Sequence, residues 1–132
     1  MRLYLDSSAL VKLVQREAES GALRQYLRAH RSDERVASDL ARVEVVRSVL
    51  AGGPAAVAHA RRQLARLHLV ALDADPLDRA ATLAPTSLLR SLDAIHLATA
   101  QLLGADLRAV LTYDVRMTDA AASLSLPVAS PR

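Results

Sequence analysis

The sequence predicts a three-layer α/β/α domain with a central parallel sheet of four to five strands. Two observations lead to this fold class. Short aliphatic runs alternate with segments of helical periodicity along all 132 residues, which is typical of parallel sheets covered by helices on both faces. No linker, repeat or low-complexity segment interrupts the alternation, so we expect one domain over residues 1–132.

The strands are predicted from aliphatic runs that end in polar or turn-forming residues. The first run, Leu3-Tyr4-Leu5, stops abruptly at the carboxylate of Asp6. Pro127 places the last run at an edge of the sheet, because proline lacks the N–H that a central strand must donate. In chain order, strands are expected at residues 3–5, 36–38, 68–72, 109–112 and 126–129.

The helices are predicted from apolar residues at helical spacing and from residues that start or stop a helix. Asp39 and Ser91 stand where N-caps are expected, and Asp114 opens the last helix. Gly52-Gly53-Pro54 separates two helices that should form a hairpin. Helices are expected at residues 9–14, 22–28, 40–50, 55–67, from 73 onward, 91 to about 104, and 114 to about 123.

The composition excludes several kinds of function. The chain has no cysteine, which rules out disulfides, thiolate metal sites and cysteine nucleophiles. It has no Trp or Phe and only three Tyr, so stacking of bases on aromatic platforms is disfavoured. The net charge is +3 and Lys12 is the single lysine among 17 basic residues. Arginine suits a polyanionic partner, although a genome biased towards Arg and Ala codons would give the same composition.

The sequence also carries no signal for a membrane or for export. No apolar run approaches the roughly 20 residues that a membrane-spanning helix needs. The N-terminal residues lead directly into the first predicted strand and lack a signal-peptide pattern. We therefore expect a cytoplasmic protein.

Four carboxylates stand beside apolar segments. Asp6 and Asp114 follow predicted strands, whereas Glu44 and Asp93 lie within helical patterns. Ligands bind outside the carboxyl ends of the strands in open parallel sheets, so the four acids can converge there. Each also has a simpler explanation: Asp6 and Asp114 as N-caps, Asp93 as a partner of the helix dipole, and Glu44 as a partner of Arg47.

Clustered carboxylates raise one another's pKa, and a hard divalent cation such as Mg²⁺ stabilises them. Such an ion can polarise a phosphodiester and turn bound water into a nucleophile. In a basic protein, a carboxylate–Mg²⁺ centre therefore points to phosphodiester hydrolysis.

Four motifs together resemble a known family. They are Leu-Asp-Ser-Ser-Ala-Leu-Val-Lys at residues 5–12, Glu44, Leu-Asp-Ala-Ile-His-Leu-Ala-Thr-Ala at 92–100 and Leu-Thr-Tyr-Asp at 111–114. In this order they resemble the PIN-domain ribonucleases, and most closely the VapC-type toxins of type II toxin–antitoxin modules. The resemblance implies a PIN-like α/β/α fold and an endoribonuclease activity that depends on Mg²⁺ or Mn²⁺.

The resemblance also implies roles for the acids. Asp6, Glu44, Asp93 and Asp114 fall on the family's catalytic quartet. Asp6 and Asp93 match direct metal ligands, Asp114 matches a position that is metal-linked in some members, and Glu44 matches one that acts through water. Asp119 is a rival for the role given to Asp114.

The same resemblance assigns roles to Ser7, Thr112 and His96, whereas Lys12 and Arg16 are singled out by their position on the first helix. Ser7 and Thr112 match small polar residues that support the first acid. His96 is interpreted as a packing residue of its helix and not as a metal ligand. Lys12 and Arg16 lie one helical turn apart near Asp6 in sequence, and are candidates for contacting RNA or a partner.

The implied partners are an RNA substrate (transfer or ribosomal RNA is favoured), a cognate VapB-like antitoxin and a second copy of the chain. Val14, Tyr26 and Leu27 can either offer apolar surface for the antitoxin or pack on the sheet, and the sequence favours neither. The alternative is a non-catalytic Mg²⁺-binding α/β module, such as a receiver-like signalling or protein-interaction domain. The absence of an adjacent acid pair early in the chain and the single Lys12 argue against a receiver.

Overall fold

A parallel sheet lies at the centre of the molecule. The computed structural model describes residues 1–84 and 89–132, and in these ranges the sheet has five strands in the order β3-β2-β1-β4-β5. All neighbouring strands are parallel. The strands are β1 (Arg2–Leu5), β2 (Glu34–Ser38), β3 (His68–Val70), β4 (Leu107–Leu111) and β5 (Val128–Ala129).

Helices cover both faces of this sheet. In the same described ranges they are α1 (Ser7–Val14), α2 (Ser20–Ala29), α3 (Ala41–Val49), α4 (Pro54–Leu64), α5 (Ala74–Ala81), α6 (Ser91–Gln101) and α7 (Val115–Ser123). Short 3-10 turns follow α3 and α6. None of the helices in these ranges is long and apolar enough to cross a membrane.

The central strand β1 divides the core into two layers. Successive side chains of a strand point to opposite faces of the sheet. Leu3 and Leu5 accordingly pack with α1 to α4 on one face, whereas Tyr4 packs with α6 on the other. All three side chains are fully buried, as expected for a parallel sheet covered on both faces. The predicted three-layer α/β/α class is confirmed.

Two predicted helix caps are wrong. Asp39 does not cap α3, because Leu40 occupies the N-cap position and the Asp39 carboxylate accepts a hydrogen bond from Arg42 Nε at 2.6 Å. Ser91 is the first residue of α6, and the extended N-cap residue is Arg90. The reason is the same in both cases: the first turn of the helix begins one residue away from the position that its polar residue suggests.

Packing also reduces the apolar surface that was predicted for a protein partner. Leu27 lies in the core under the sheet, as do Leu10 and Leu13, so it offers no apolar surface to a partner. Val14 and Tyr26 are only partly buried at the edge of the same core. The apolar surface of α1 and α2 is therefore smaller than the sequence predicts.

An ion pair joins the other end of the sheet. The carboxylate of Asp33, just before β2, is almost fully buried and binds both the N-terminal amine, at 3.3 Å, and the guanidinium of Arg108 on β4. The hydrogen bond from Arg108 holds the pKa of Asp33 below its ordinary value. These contacts tie β2, β1 and β4 together at their amino ends, away from the predicted acidic site.

Candidate active site

Asp6 lies at the carboxyl end of β1 and is the N-cap of α1. Its Oδ1 accepts hydrogen bonds from Ser8 Oγ at 2.6 Å and from the backbone N–H of Ala9 at 3.0 Å. Its Oδ2 accepts a hydrogen bond from Thr112 Oγ1 at 2.5 Å. Burial raises the pKa of Asp6, and these three donors oppose the rise. Asp6 is thus both the predicted cap and a buried carboxylate at the expected edge of the sheet.

Asp114 is brought beside Asp6 by the hydroxyl of Thr112. Thr112 Oγ1 accepts a hydrogen bond from the backbone N–H of Asp114 at 3.2 Å while it donates to Asp6. Asp114 also caps α7, because its Oδ1 accepts from the backbone N–H of Arg116 at 2.8 Å and of Met117 at 3.3 Å. Its rival Asp119 is exposed further along the same helix.

Asp93 reaches the same place from the first turn of α6. Arg90 Nε donates to Asp93 Oδ2 at 3.0 Å, and Arg90 Nη2 lies 3.6 Å from Asp114 Oδ2. The hydrogen bond and the charge of Asp93, followed by the charges of Asp114 and Glu44, raise the pKa of Arg90. One guanidinium therefore bridges two of the predicted metal ligands.

Sequence reasoning missed Arg90. The spacing of Arg90 and Asp93, three residues apart at a helix start, is a local signal for the first contact. Nothing local indicates the second contact, with Asp114, since the two residues meet only when α6 and α7 pack on the same face of the sheet.

Glu44 projects from α3 towards the same edge but binds different partners. Its Oε1 accepts hydrogen bonds from Ser7 Oγ and from His96 Nε2, each at 2.6 Å. Burial opposes ionisation of Glu44, but the hydrogen bonds of His96 and Ser7 outweigh it and its pKa lies below the ordinary value. The partner suggested for a simple structural role, Arg47, is exposed and makes no described contact with Glu44.

His96 is held in a fixed orientation by Tyr4. The Tyr4 hydroxyl lies 2.7 Å from His96 Nδ1, and both side chains are buried. Because an ionised Glu44 can only accept a hydrogen bond, His96 must donate through Nε2. In the neutral ring Nδ1 then accepts from the Tyr4 hydroxyl. The interpretation of His96 as a packing residue is thus incomplete, because it also orients Glu44.

Ser7 supports a different acid from the one that was predicted. Ser7 was expected to support Asp6, but its hydroxyl donates to Glu44, and it is Ser8 that donates to Asp6. The two residues open α1, where each step along the chain rotates the side chain by about 100°. Neighbouring hydroxyls are therefore directed to different acids. Thr112, by contrast, donates its hydroxyl hydrogen bond to Asp6.

An open cleft of about 410 Å³ lies beside Glu44. Lys12 lines it, but its ammonium is held by Glu19 at 2.8 Å and by Glu17 at 3.7 Å, and lies 4.6 Å from the centre of the Tyr113 ring. Arg16 is exposed outside this cleft. Of the two predicted contact residues, Lys12 is near the acids yet already paired.

The donor atoms at this edge suit a hard divalent cation. Asp6, Asp93 and Asp114 supply carboxylate oxygens, the ligands that Mg²⁺ and Mn²⁺ prefer. Across residues 1–84 and 89–132, however, no three acidic or histidine side chains are gathered closely enough to enclose an ion. The carboxylate oxygens are therefore suitable metal ligands, and in this structure the positive charge beside Asp93 and Asp114 comes from Arg90.

The sequence from residue 3 to residue 123 matches the PIN domain family. The chain belongs to this family. It is 54% identical to ribonuclease VapC46 of Mycobacterium tuberculosis over 129 residues, covering 98% of this chain and 97% of that protein. It is 38% identical to ribonuclease VapC47 of the same species over 132 residues, with 98% and 96% covered. Within the PIN domain family, the chain is thus a VapC-type protein.

Solved structures support the same fold. A chain from a toxin–antitoxin complex of Klebsiella pneumoniae superposes with a TM-score of 0.76 at 24% identity, covering 98% of both chains. VapC20 of Mycobacterium tuberculosis, described as a sarcin–ricin loop cleaving toxin, gives a TM-score of 0.71 at 20% identity, covering 89% of this chain and 94% of that one. The predicted PIN-like fold and the VapC resemblance are confirmed, and the receiver-like alternative is set aside.

Proposed function

We propose that this VapC-type ribonuclease is the toxin of a type II toxin–antitoxin module and cleaves RNA internally with the help of Mg²⁺ or Mn²⁺. The observation that carries the proposal is that Asp6, Asp93, Asp114 and Glu44 all lie at the carboxyl edge of the sheet, in a chain related over its length to ribonucleases. We take residues 1–132 as one catalytic domain that acts in the cytoplasm.

Asp6, Asp93 and Asp114 are the residues proposed to hold the metal. When bound, such an ion neutralises charge on the phosphate and lowers the pKa of water. The side chains of Ser8 and Thr112 keep Asp6 in place by donating to both of its oxygens. Thr112 also holds the backbone of Asp114, so a single hydroxyl sets the spacing of two acids.

Glu44 is proposed to accept the proton of the attacking water. Its lowered pKa keeps it ionised at neutral pH, as a base must be. Both described hydrogen bonds, from Ser7 and His96, fall on Oε1, which leaves Oε2 for water. Since Tyr4 and His96 are buried, they fix the direction of this carboxylate.

The proposed substrate is structured RNA, with transfer or ribosomal RNA favoured. The support is the structural neighbour VapC20, which is described as cleaving the sarcin–ricin loop. The open cleft beside Glu44 admits a backbone phosphate, and the net charge of +3 favours a polyanion. Sequencing of RNA ends after induced expression would identify the target.

The proposed protein partners are a VapB-like antitoxin and a second copy of the chain. The neighbour from Klebsiella pneumoniae was solved as a toxin–antitoxin complex. Of the apolar residues predicted for such contacts, Val14 and Tyr26 stay partly exposed on α1 and α2. Co-expression with the adjacent small open reading frame, followed by size-exclusion chromatography, tests this; a chain that stays a free monomer contradicts it.

The test of the catalytic assignment compares three acid-to-amide variants in an RNA cleavage assay with Mg²⁺, Mn²⁺ or EDTA. Asp93→Asn and Asp114→Asn should each lower the cleavage rate by at least about 100-fold, since each removes a proposed ligand. Asp119→Asn is the matched control on exposed α7 surface and should cleave like the wild type. Full cleavage in EDTA, or by Asp93→Asn, contradicts the proposal.

A further inference from the structure

Arg90 is placed where it contacts two of the carboxylates proposed to hold the metal. It is the N-cap residue of α6, and its side chain is 63% exposed at the mouth of the site. Nε binds Asp93 Oδ2 at 3.0 Å, and Nη2 lies 3.6 Å from Asp114 Oδ2. The guanidinium thus joins an acid from α6 to an acid from the start of α7.

The positive charge of Arg90 offsets the electrostatic repulsion between the carboxylates of Asp93 and Asp114. Both carboxylates lie within 3.6 Å of the Arg90 guanidinium, and two negative charges held near the same group repel each other. A divalent cation would relieve the same repulsion through the same oxygens. Because both cations are positive and need these oxygens, binding of one opposes binding of the other.

We propose that Arg90 is a displaceable internal cation that pairs with Asp93 and Asp114 in the metal-free protein and transfers to an RNA phosphate when a divalent ion takes these carboxylates. The inference rests on the proposed metal-dependent function and adds a substrate-binding residue to it. The fork of N–H groups in arginine fits a phosphate as well as a carboxylate, so the same side chain serves both positions. Its exposure at the end of α6 leaves room for the movement.

Metal binding by the free protein tests the first half of the proposal. Mn²⁺ affinity is measured by titration calorimetry for the wild type, Arg90→Gln and Arg116→Gln. Arg116 is the matched control, because it is exposed at the start of α7 and only its backbone N–H contacts Asp114. Loss of an ion pair at an exposed site should tighten Mn²⁺ binding by Arg90→Gln about 2- to 5-fold.

The outcomes separate this inference from the proposed function. Arg116→Gln should bind Mn²⁺ as the wild type does, and Asp93→Asn should bind it more weakly. Unchanged or weaker binding by Arg90→Gln, with normal binding by the wild type, overturns the role of Arg90 and leaves the metal centre standing. A wild-type chain that binds no Mn²⁺ overturns the metal centre and the role of Arg90 together.

RNA binding tests the second half. The Glu44→Gln background should prevent cleavage and keeps the described contacts among Asp93, Asp114 and Arg90, so RNA affinity can be measured in Mg²⁺. In this background Arg90→Gln should weaken RNA binding by about 10-fold, as expected for one charged phosphate contact, and Arg90→Lys should restore part of it. Equal affinity with and without the Arg90 side chain overturns the transfer to phosphate.

Discussion

Thr112 offers a sharp test of how the acidic edge is held together. Its buried hydroxyl donates to Asp6 Oδ2 at 2.5 Å and accepts from the Asp114 backbone N–H at 3.2 Å. Thr112→Val keeps the shape of the side chain and removes both bonds. A hydrogen bond to a charged group contributes about 1.5–3 kcal/mol, so we expect the free energy of unfolding to fall by roughly 2–3 kcal/mol at pH 7.

The stability lost on Thr112→Val should depend on pH, because it depends on whether Asp6 is ionised. Burial raises this pKa in the folded protein, so ionisation of Asp6 lowers stability as pH rises through the folded pKa. Removal of the Thr112 donor destabilises the folded protein with ionised Asp6 even more, and the pKa of Asp6 rises further. Below the unfolded pKa of about 3.9, Asp6 is protonated in both states, and the difference should shrink to about 1 kcal/mol.

Urea denaturation of the metal-free protein at pH 7 and near pH 3 measures this difference. Thr99→Val is the matched control, because Thr99 is equally buried and its hydroxyl donates to the backbone carbonyl of Ile95 at 2.7 Å. Its cost should be the same at both pH values. A Thr112→Val cost that is absent at pH 7, or equal at the two pH values, would refute the link between Thr112 and the charge of Asp6.

Two further predictions concern other buried contacts. Tyr4→Phe leaves His96 Nδ1 without its partner in a buried site, so the free energy of unfolding should fall by about 1–3 kcal/mol. The cleavage rate should also fall because His96 orients Glu44, and an unchanged denaturation midpoint would argue against the bond. Asp33→Asn should lower the denaturation midpoint at pH 7, where Arg108 pairs with the charged group. Because the folded pKa of Asp33 is lowered, the difference should disappear as pH falls through it, and a constant difference would contradict the assignment.

Much of the fold and part of the site could be predicted from the sequence because the signals are local. The run Leu3-Tyr4-Leu5 followed by Asp6 encodes a buried strand, a turn and a capped helix within a few residues. Asp114 is likewise placed by the strand before it and the helix after it. Both acids lie at the predicted edge because the carboxyl ends of parallel strands share one side of the sheet.

Only the tertiary structure decided which side chains meet at that edge. His96 and Glu44 are 52 positions apart and bond because α6 and α3 extend from opposite faces of the sheet to its carboxyl edge. Arg90 reaches Asp114 because α6 and α7 pack together, and the rotation of α1 directs Ser7 to one acid and Ser8 to another. Local periodicity determines the elements of this protein, whereas contacts between distant elements depend on packing, which sets the partner of each acid.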